Sequence, residues 1–487
     1  MGQQYSVISL FSGCSGLDLG LINANSRSKT ITAYPIAQKF KILWANDKYE
    51  PSCNTYAKNF KVKITKNHKE KIDGGRIFCG DIRKVSFQHV LNSNPIDVIA
   101  GGFPCQDFSI ITGPKGKGTE VKRGRLYLHF VRSLAELQPK MFIAENVKNL
   151  CQGRNKPAYE KIKEDFQNLG NYWDEIKREY DENIVIEPVT HSIKGYKLLF
   201  SEIINSACLG APQKRERLIM IGLREDIASK RYKNDLLLKK INSIKEKLHG
   251  EKEIFPDAPI TTMEIFEGKT LDGLENKKYS NIIKSYEKEF SQVNSKRKKI
   301  YTQKIWPNYN FSIWDDYIWI NNCKSKGNKW RRKVIKEHAS LLKELGFINS
   351  EIKNKVFTDD TNKELKSSNE VKDRMKHIPP NENHEFVNST KWHVNGKGLS
   401  LIYRRIHPLK YSYTIVARGG GGTWGYHYEK NRQKLTNRER ARIQTFPDDF
   451  VFKGTSSEIR RQIGEAVPPL VGKRIGECLL ELLEEIQ

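Results

Sequence analysis

The sequence predicts an α/β fold: a doubly wound, mostly parallel sheet with a second, variable domain attached. Three observations lead there. From the start to about residue 222, short apolar runs alternate with helical patterns, as expected of parallel strands joined by crossover helices. The residues just beyond the apolar runs are small, acidic or nucleophilic, which is where such sheets bind ligands. Past residue 223 the texture turns to Lys, Asn, Glu and Ser with weaker periodicity, and order returns only near residue 434. The organisation expected is therefore 1–222, then a variable region over 223–433, then 434–487 returning to the first part.

The first strand, 6–11, runs into Phe11-Ser-Gly13-Cys-Ser-Gly16, a small-residue turn that opens a helix over 16–24 and exposes backbone N–H groups to a ligand. The second, 41–46, ends at Asn46-Asp47 and leads to a helix over 50–59, with Pro51 suited to its first turn. The third unit ends at Gly80-Asp81. An acid after the second strand suits ribose hydroxyls, and one after the third can accept a hydrogen bond from an adenine amine. Either aspartate alone would more often be a turn residue or cap; their joint placement points to a nucleoside.

The fourth strand, 96–100, runs into Gly101-Gly-Phe-Pro-Cys105-Gln106-Asp-Phe-Ser109, and a helix follows over 125–137. A cysteine after proline on a glycine-bounded loop is held rigidly at the sheet's edge, where a nucleophile belongs. A buried, inert thiol is the bland alternative, disfavoured by the small and polar neighbours. The fifth strand, 141–145, ends in Glu145 after four apolar residues, and a helix is expected over 157–169. Burial there would raise the carboxyl pKa toward that of a general acid. Arg215 and Arg217 precede or open the strand at 217–222; two apart on an extended segment, they point to one side and can address one anion or carbonyl.

The chain of 487 residues carries a formal net charge of +27, a balance that attracts polyanions and nucleic acid first. Lys324 to Lys336 holds seven basic residues, no acidic one, and Trp330, as a phosphate-gripping surface or a solvated helix face would. Eight scattered cysteines without Cys-x-x-Cys spacing suggest reduced thiols and no structural metal. No apolar run is long enough to span a membrane and no signal-peptide pattern opens the chain, so a soluble, cytoplasmic protein is expected. Thr436 and Glu439 form a capping box opening a helix, and a last helix follows Pro468-Pro469 with Val471, Ile475, Leu479, Leu482 and Ile486 on one face, which should pack on the first domain.

Together these stretches resemble the DNA (cytosine-5) methyltransferase family of prokaryotic restriction-modification type. The Phe-Ser-Gly turn, Pro-Cys-Gln, Glu-Asn-Val and Gln-Lys-Arg-Glu-Arg occur in the family's order, followed by Leu435-Thr436 through Gln444-Thr-Phe-Pro447 and Gly464-Glu-Ala-Val-Pro468. Tyr413 to Gly422 looks like the segment closing the family's target-recognition domain. The resemblance implies a Rossmann-like methyltransferase fold, S-adenosyl-L-methionine as cofactor, double-stranded DNA as partner and a flipped-out cytosine as substrate. It implies Phe11, Gly13 and Gly16 around the methionine portion, Asp47 on the ribose, and Asp81 with Ile82 at the adenine. Cys105 would add to C6, Glu145 would bind and protonate N3, Arg217 would hold the O2 side, and Arg215 would orient the active-site loop or nearby backbone. Gln106, Ser109 and Arg123 would contact DNA, on a loop over 106–124 able to close over the base. A monomer is implied, with a restriction endonuclease as genetic rather than physical partner. Lys48 and Glu465 depart from the family pattern, which has an apolar ring-stacking residue and an asparagine there.

An RNA (tRNA) cytosine-5 methyltransferase of the same fold would share Cys105 and Glu145, but the long region 223–433 favours duplex DNA, whose sequence needs an added reading surface. A solitary or phage enzyme is equally compatible. A catalytically dead binding relative is disfavoured by the intact Cys, Glu and Arg pair. Pro256-Asp257 with Glu267-Gly-Lys269 mimics a metal-dependent nuclease signature, which the short surrounding sequence makes a chance match.

Overall fold

The computed structural model describes residues 3–25, 29–67, 75–87, 95–104, 126–170, 191–324, 326–396, 399–417 and 422–486. Eight strands form one sheet: β1 Tyr5–Leu10, β2 Phe40–Asp47, β3 Lys63–Thr65, β4 Arg76–Cys79, β5 Val98–Gly101, β6 Met141–Val147, β7 Tyr196–Asn205 and β8 Glu216–Arg224. Their order is β3-β4-β2-β1-β5-β6-β8-β7. Pairing is parallel from β3 through β6, and β8 is antiparallel to both β6 and β7. The order reverses between β1 and β5, so a crevice is expected beyond their carboxyl ends.

Successive side chains on these strands enter different cores. Val98, Ala100, Met141, Ile143, Ile219 and Ile221 belong to one cluster, whereas Ile99, Phe142, Ala144, Leu218 and Met220 belong to another. Both faces are thus covered, which is why these strands read as nearly unbroken apolar runs. Helices α1 Gly16–Asn23 and α2 Glu50–Phe60 follow β1 and β2, and α3 Tyr127–Leu137 and α4 Lys156–Gln167 follow β5 and β6. The strands and helices anticipated from the sequence are all present within a few residues. Two strands, β3 and β7, were not anticipated, and β4 was expected as the third unit ending at Gly80-Asp81, without a stated start. Asp47 ends β2 and Asp81 follows β4, and because β2 pairs with β4 the two acids stand at the ends of neighbouring strands, as expected.

The region after β8 is helical and irregular, including α5 Asn234–His249 and α6 Asn328–Glu344. Its large core mixes Met263, Phe266, Tyr317 and Leu342 with Ile22 and Ala33 from the start of the chain and with Ile443, Phe446 and Phe450 near its end. On α6 the basic run faces solvent while Val334, His338, Leu341 and Leu342 are buried, so the solvated-face reading accounts for the pattern. Helices α7 Asn437–Ile443, α8 Ser456–Glu465 and α9 Pro469–Glu485 close the chain. The capping box at α7 is present in both directions: Glu439 N donates to Thr436 Oγ1 at 3.1 Å and Thr436 N to Glu439 Oε2 at 2.9 Å. On α9, Val471, Ile475 and Leu479 pack with Leu17 and Leu21 of α1, as expected of a terminal helix docking on the first part. Glycine makes this close approach possible: a Cβ on Gly20 would stand 2.4 Å from Lys473 N, and one on Gly16 2.1 Å from Val467 O.

Candidate active site

On one side of the crevice lies the turn after β1. Phe11, Gly13 and Ser15 all have positive φ, of 53°, 55° and 89°, so the backbone coils tightly and Gly13 faces open space where a side chain would stand. Gly13 N donates to Asp47 Oδ2 at 2.8 Å and Tyr49 N to Asp47 Oδ1 at 2.7 Å. Burial pushes the Asp47 carboxyl up in pKa while those two backbone donors pull it back, with a net rise. Next to it, Asn46 Nδ2 donates to Phe78 O at 3.1 Å and Gly80 O at 2.9 Å, which fixes the end of β2 against the end of β4. Asp81 follows and caps the turn that begins at buried Ile82. The Ser15 hydroxyl is wholly buried and among the described residues has no hydrogen-bond partner. An open turn at a helix start, an orphan hydroxyl and two acids in line fit an adenosyl amino acid: backbone donors for a carboxylate, acids for ribose hydroxyls and an adenine amine.

On the other side, β5 ends in two glycines that each serve a close approach. A Cβ on Gly101 would stand 2.3 Å from Leu10 O, and one on Gly102 would stand 2.9 Å from Glu145 Oε2. Asn146 Nδ2 donates to Phe103 O at 3.2 Å, tying the segment Phe103-Pro104 to β6. Cys105, Gln106, Ser109 and Arg123 lie outside the described residues; Pro104 is the last described residue before them.

Glu145 is paired with Arg217, whose Nε lies 3.1 Å from Glu145 Oε1. The antiparallel register sets Arg217 opposite Val147, one diagonal step from Glu145. Arg215 goes elsewhere, contrary to the expectation that both arginines address one group. It precedes β8 and is buried, donating from Nη1 to Ile415 O at 3.3 Å and from Nη2 to Gly464 O at 3.0 Å. Both terminal nitrogens of this buried guanidinium are satisfied by carbonyls, while its Nε has no hydrogen-bond partner among the described residues. Its burial, with Arg217 nearby, pushes its pKa well below the usual value. It thereby binds the end of the middle region and α8 to the sheet. Gln213 does the same: its Nε2 donates to Ile443 O at 3.2 Å, and its Oε1 accepts from Ile415 N at 3.2 Å.

Sequence reasoning named Glu145 but not Asn146, although the two are adjacent in the Glu-Asn-Val stretch; a polar residue at the end of a buried strand was the available signal. It also passed over Asp18, which is buried beneath the β1 turn and accepts from Ser9 Oγ and Tyr56 OH, both at 2.8 Å. The two departures from the family pattern have partners. Lys48 Nζ lies 3.1 Å from Asp81 Oδ2, and Glu465 accepts from Arg461 Nε at 3.0 Å, with the Arg461 guanidinium 4.1 Å above the Tyr49 ring. Asp257 is exposed while Glu267 is buried against Lys278 Nζ at 2.8 Å, so the nuclease-like residues do not converge. Among the described residues no cluster suited to a metal ion occurs, and no helix is long and apolar enough to cross a membrane.

Comparison with known proteins bears on this arrangement. Residues 5–481 match the family model for C-5 cytosine-specific DNA methylases. The DNA (cytosine-5-)-methyltransferase M.ApeKI of Aeropyrum pernix is 43% identical over 488 aligned positions, covering 99% of this chain and 100% of the relative. The type II methyltransferases M.NgoFVII of Neisseria gonorrhoeae and M.BbvI of Brevibacillus brevis are each 29% identical, covering 98% of this chain and 87% and 91% of theirs. A solved E. coli structure described as a prophage-encoded DNA modification methyltransferase superposes with TM-score 0.54 at 22% identity, covering 99% of this chain and all of that one, a likeness of fold.

Proposed function

The chain belongs to the C-5 cytosine-specific DNA methylase family, and from that premise we propose that it methylates C5 of a cytosine flipped out of a specific duplex DNA sequence, as the modification member of a restriction-modification pair. The chemistry that S-adenosyl-L-methionine supplies when bound is an electrophilic methyl group. The pyrimidine C5 is too weak a nucleophile until its ring is opened to electron flow. Cys105 adds its sulfur to C6, and Glu145 shares its proton with N3, so that the displaced electron pair collects at C5. After C5 takes the methyl group, its proton passes to water, the electron pair left behind expels the Cys105 thiolate from C6, and N3 returns its proton to Glu145. Arg217 holds Glu145 by its Nε, donates from Nη1 to Glu216 O at 2.8 Å and offers Nη2 to the O2 side of the base, and Arg215 positions the backbone around Ile415 and Gly464.

Phe11, Gly13, Ser15 and Gly16 would hold the methionine part of the cofactor, with Asp47 on the ribose hydroxyls and Asp81 and Ile82 at the adenine. Gln106, Ser109 and Arg123 would touch DNA, and residues 223–433 would read its sequence, the enzyme acting as a monomer in the cytoplasm or nucleoid. One observation carries the reading of the site: Glu145, paired with Arg217, lies against Gly102, two residues before Pro104, the last described residue ahead of Cys105. The test is transfer of tritiated methyl groups to duplex DNA and to tRNA. Label in DNA and not in tRNA is expected, and the reverse would overturn the proposal. Cys105→Ser should lose transfer and also lose the covalent adduct that the native enzyme forms with 5-fluorocytosine DNA, in which fluorine cannot leave as a proton does.

A further inference from the structure

We propose that Lys48 is an internal competitor for the acid that receives the cofactor's adenine amine, so that the protein binds its adenosyl ligand only by displacing its own ammonium group. The inference rests on the reading that Asp81 accepts from that amine. A carboxylate presents about four lone-pair directions, and at Asp81 four donors already occupy them. Oδ1 accepts from Arg83 N at 3.1 Å and Arg83 Nε at 2.9 Å; Oδ2 accepts from Arg83 Nη2 at 2.5 Å and Lys48 Nζ at 3.1 Å. Burial pushes the Asp81 carboxyl up, but the hydrogen bonds from Arg83 and Lys48 outweigh it and hold the group well below the usual carboxylate range.

The donors differ in how readily they can leave. Arg83 grips through its backbone as well as two guanidinium nitrogens, within a turn that Asp81 itself caps, so its bonds are local and geometrically fixed. Lys48 comes from a different segment, the end of β2, on a side chain that is 75% exposed and makes one contact with the acid. An exposed ammonium gives up such a contact at small cost, because water replaces it. An incoming 6-amino group therefore takes the Oδ2 position of Lys48 and leaves the Arg83 bonds in place. The position immediately after Asp47 thus sets cofactor affinity through competition rather than by covering the ring.

The experiment is calorimetric titration with S-adenosylhomocysteine, which carries no net charge and so is insensitive to a general change in surface field. Lys48→Leu should bind it roughly two- to fivefold more tightly than the native chain, the strength of an exposed ion pair, while Lys48→Arg should retain the native affinity. Raising salt should tighten binding to the native protein by screening the competing pair, and should leave Lys48→Leu unaffected. Unchanged or weaker binding by Lys48→Leu, or native binding that weakens with salt, would overturn the competition. Asp81→Ala separates the two readings: loss of affinity in that variant with no gain in Lys48→Leu removes the competitor and keeps the adenine site. Unchanged affinity in Asp81→Ala removes both.

Discussion

At the β2–β4 side of the sheet, two aspartates hold fixed donors before any ligand arrives: Asp47 two, from the backbone of Gly13 and Tyr49, and Asp81 four, from Arg83 and Lys48. At the β6–β8 side, Glu145 has Arg217 as its one ionic partner among the described residues, and its other oxygen faces a glycine. The difference follows what each acid has to do. On the roles proposed above, acids that only bind are best pre-ordered by fixed hydrogen bonds, whereas an acid that passes a proton to a base needs one oxygen kept clear. The same sequence signal, a carboxylate just beyond a strand, thus produces a clamp in one half and a reactive group in the other.

If the halves are functionally separate, their variants should separate kcat from cofactor affinity. Glu145→Gln keeps the shape but cannot donate a carboxylic proton; we expect kcat to fall by about a hundred- to ten-thousandfold while S-adenosylhomocysteine affinity stays within about twofold. A parallel loss of affinity in calorimetry would break the division. Gly102→Ala sharpens it, since the added methyl would stand 2.9 Å from Glu145 Oε2 and displace that carboxylate rather than the fold. Roughly a ten- to hundredfold loss of kcat is expected, with an unchanged melting temperature.

A further effect concerns stability on the β1 side of the sheet. Burial pushes the Asp18 carboxyl up to about 7, against the hydrogen bonds from Ser9 and Tyr56 and from an ordinary value of 3.8. Below the ordinary value both folded and unfolded chains are protonated there. As pH rises from about 4 to 7 the unfolded chain ionises first, so Asp18 costs stability increasingly and the full cost is present above pH 7. Asp18→Asn should therefore gain on the native protein by on the order of 2–4 kcal/mol between pH 4 and 8 in urea unfolding. A constant difference across that range would show that Asp18 is ionised throughout.

Most of this sheet was legible because strands buried on both faces leave long apolar runs, and because parallel pairing puts chemistry at their carboxyl ends. The missed strands show the limits of that signal. β3 is three residues long, too short for periodicity to register, and β4, at four, was legible only through the Gly80-Asp81 end that follows it. β7 carries Ser201 and Glu202 in its middle and a register shift between Leu198 and Phe200; Glu202 is stabilised by His249 of α5 at 2.8 Å, a partner far away in sequence. The pairing of Arg217 with Glu145, and the divergence of Arg215, depended on the antiparallel register of β8, which alternation cannot reveal. Over 223–433, lysines and asparagines line the exposed faces of short helices, so the apolar positions that build the core are diluted below recognition.

The glycine contacts between α1 and the end of the chain bear on how the protein comes into being. Gly16 and Gly20 pack on Val467 and on Gly472 and Lys473, partners made some 450 positions later. At ordinary rates of synthesis, about 5–20 residues per second, the cofactor turn waits roughly 20–90 s on the ribosome for the surface that supports it. Nascent chains would then lack the packed form of the turn after β1 until the residues around Val467 and Lys473 have been made.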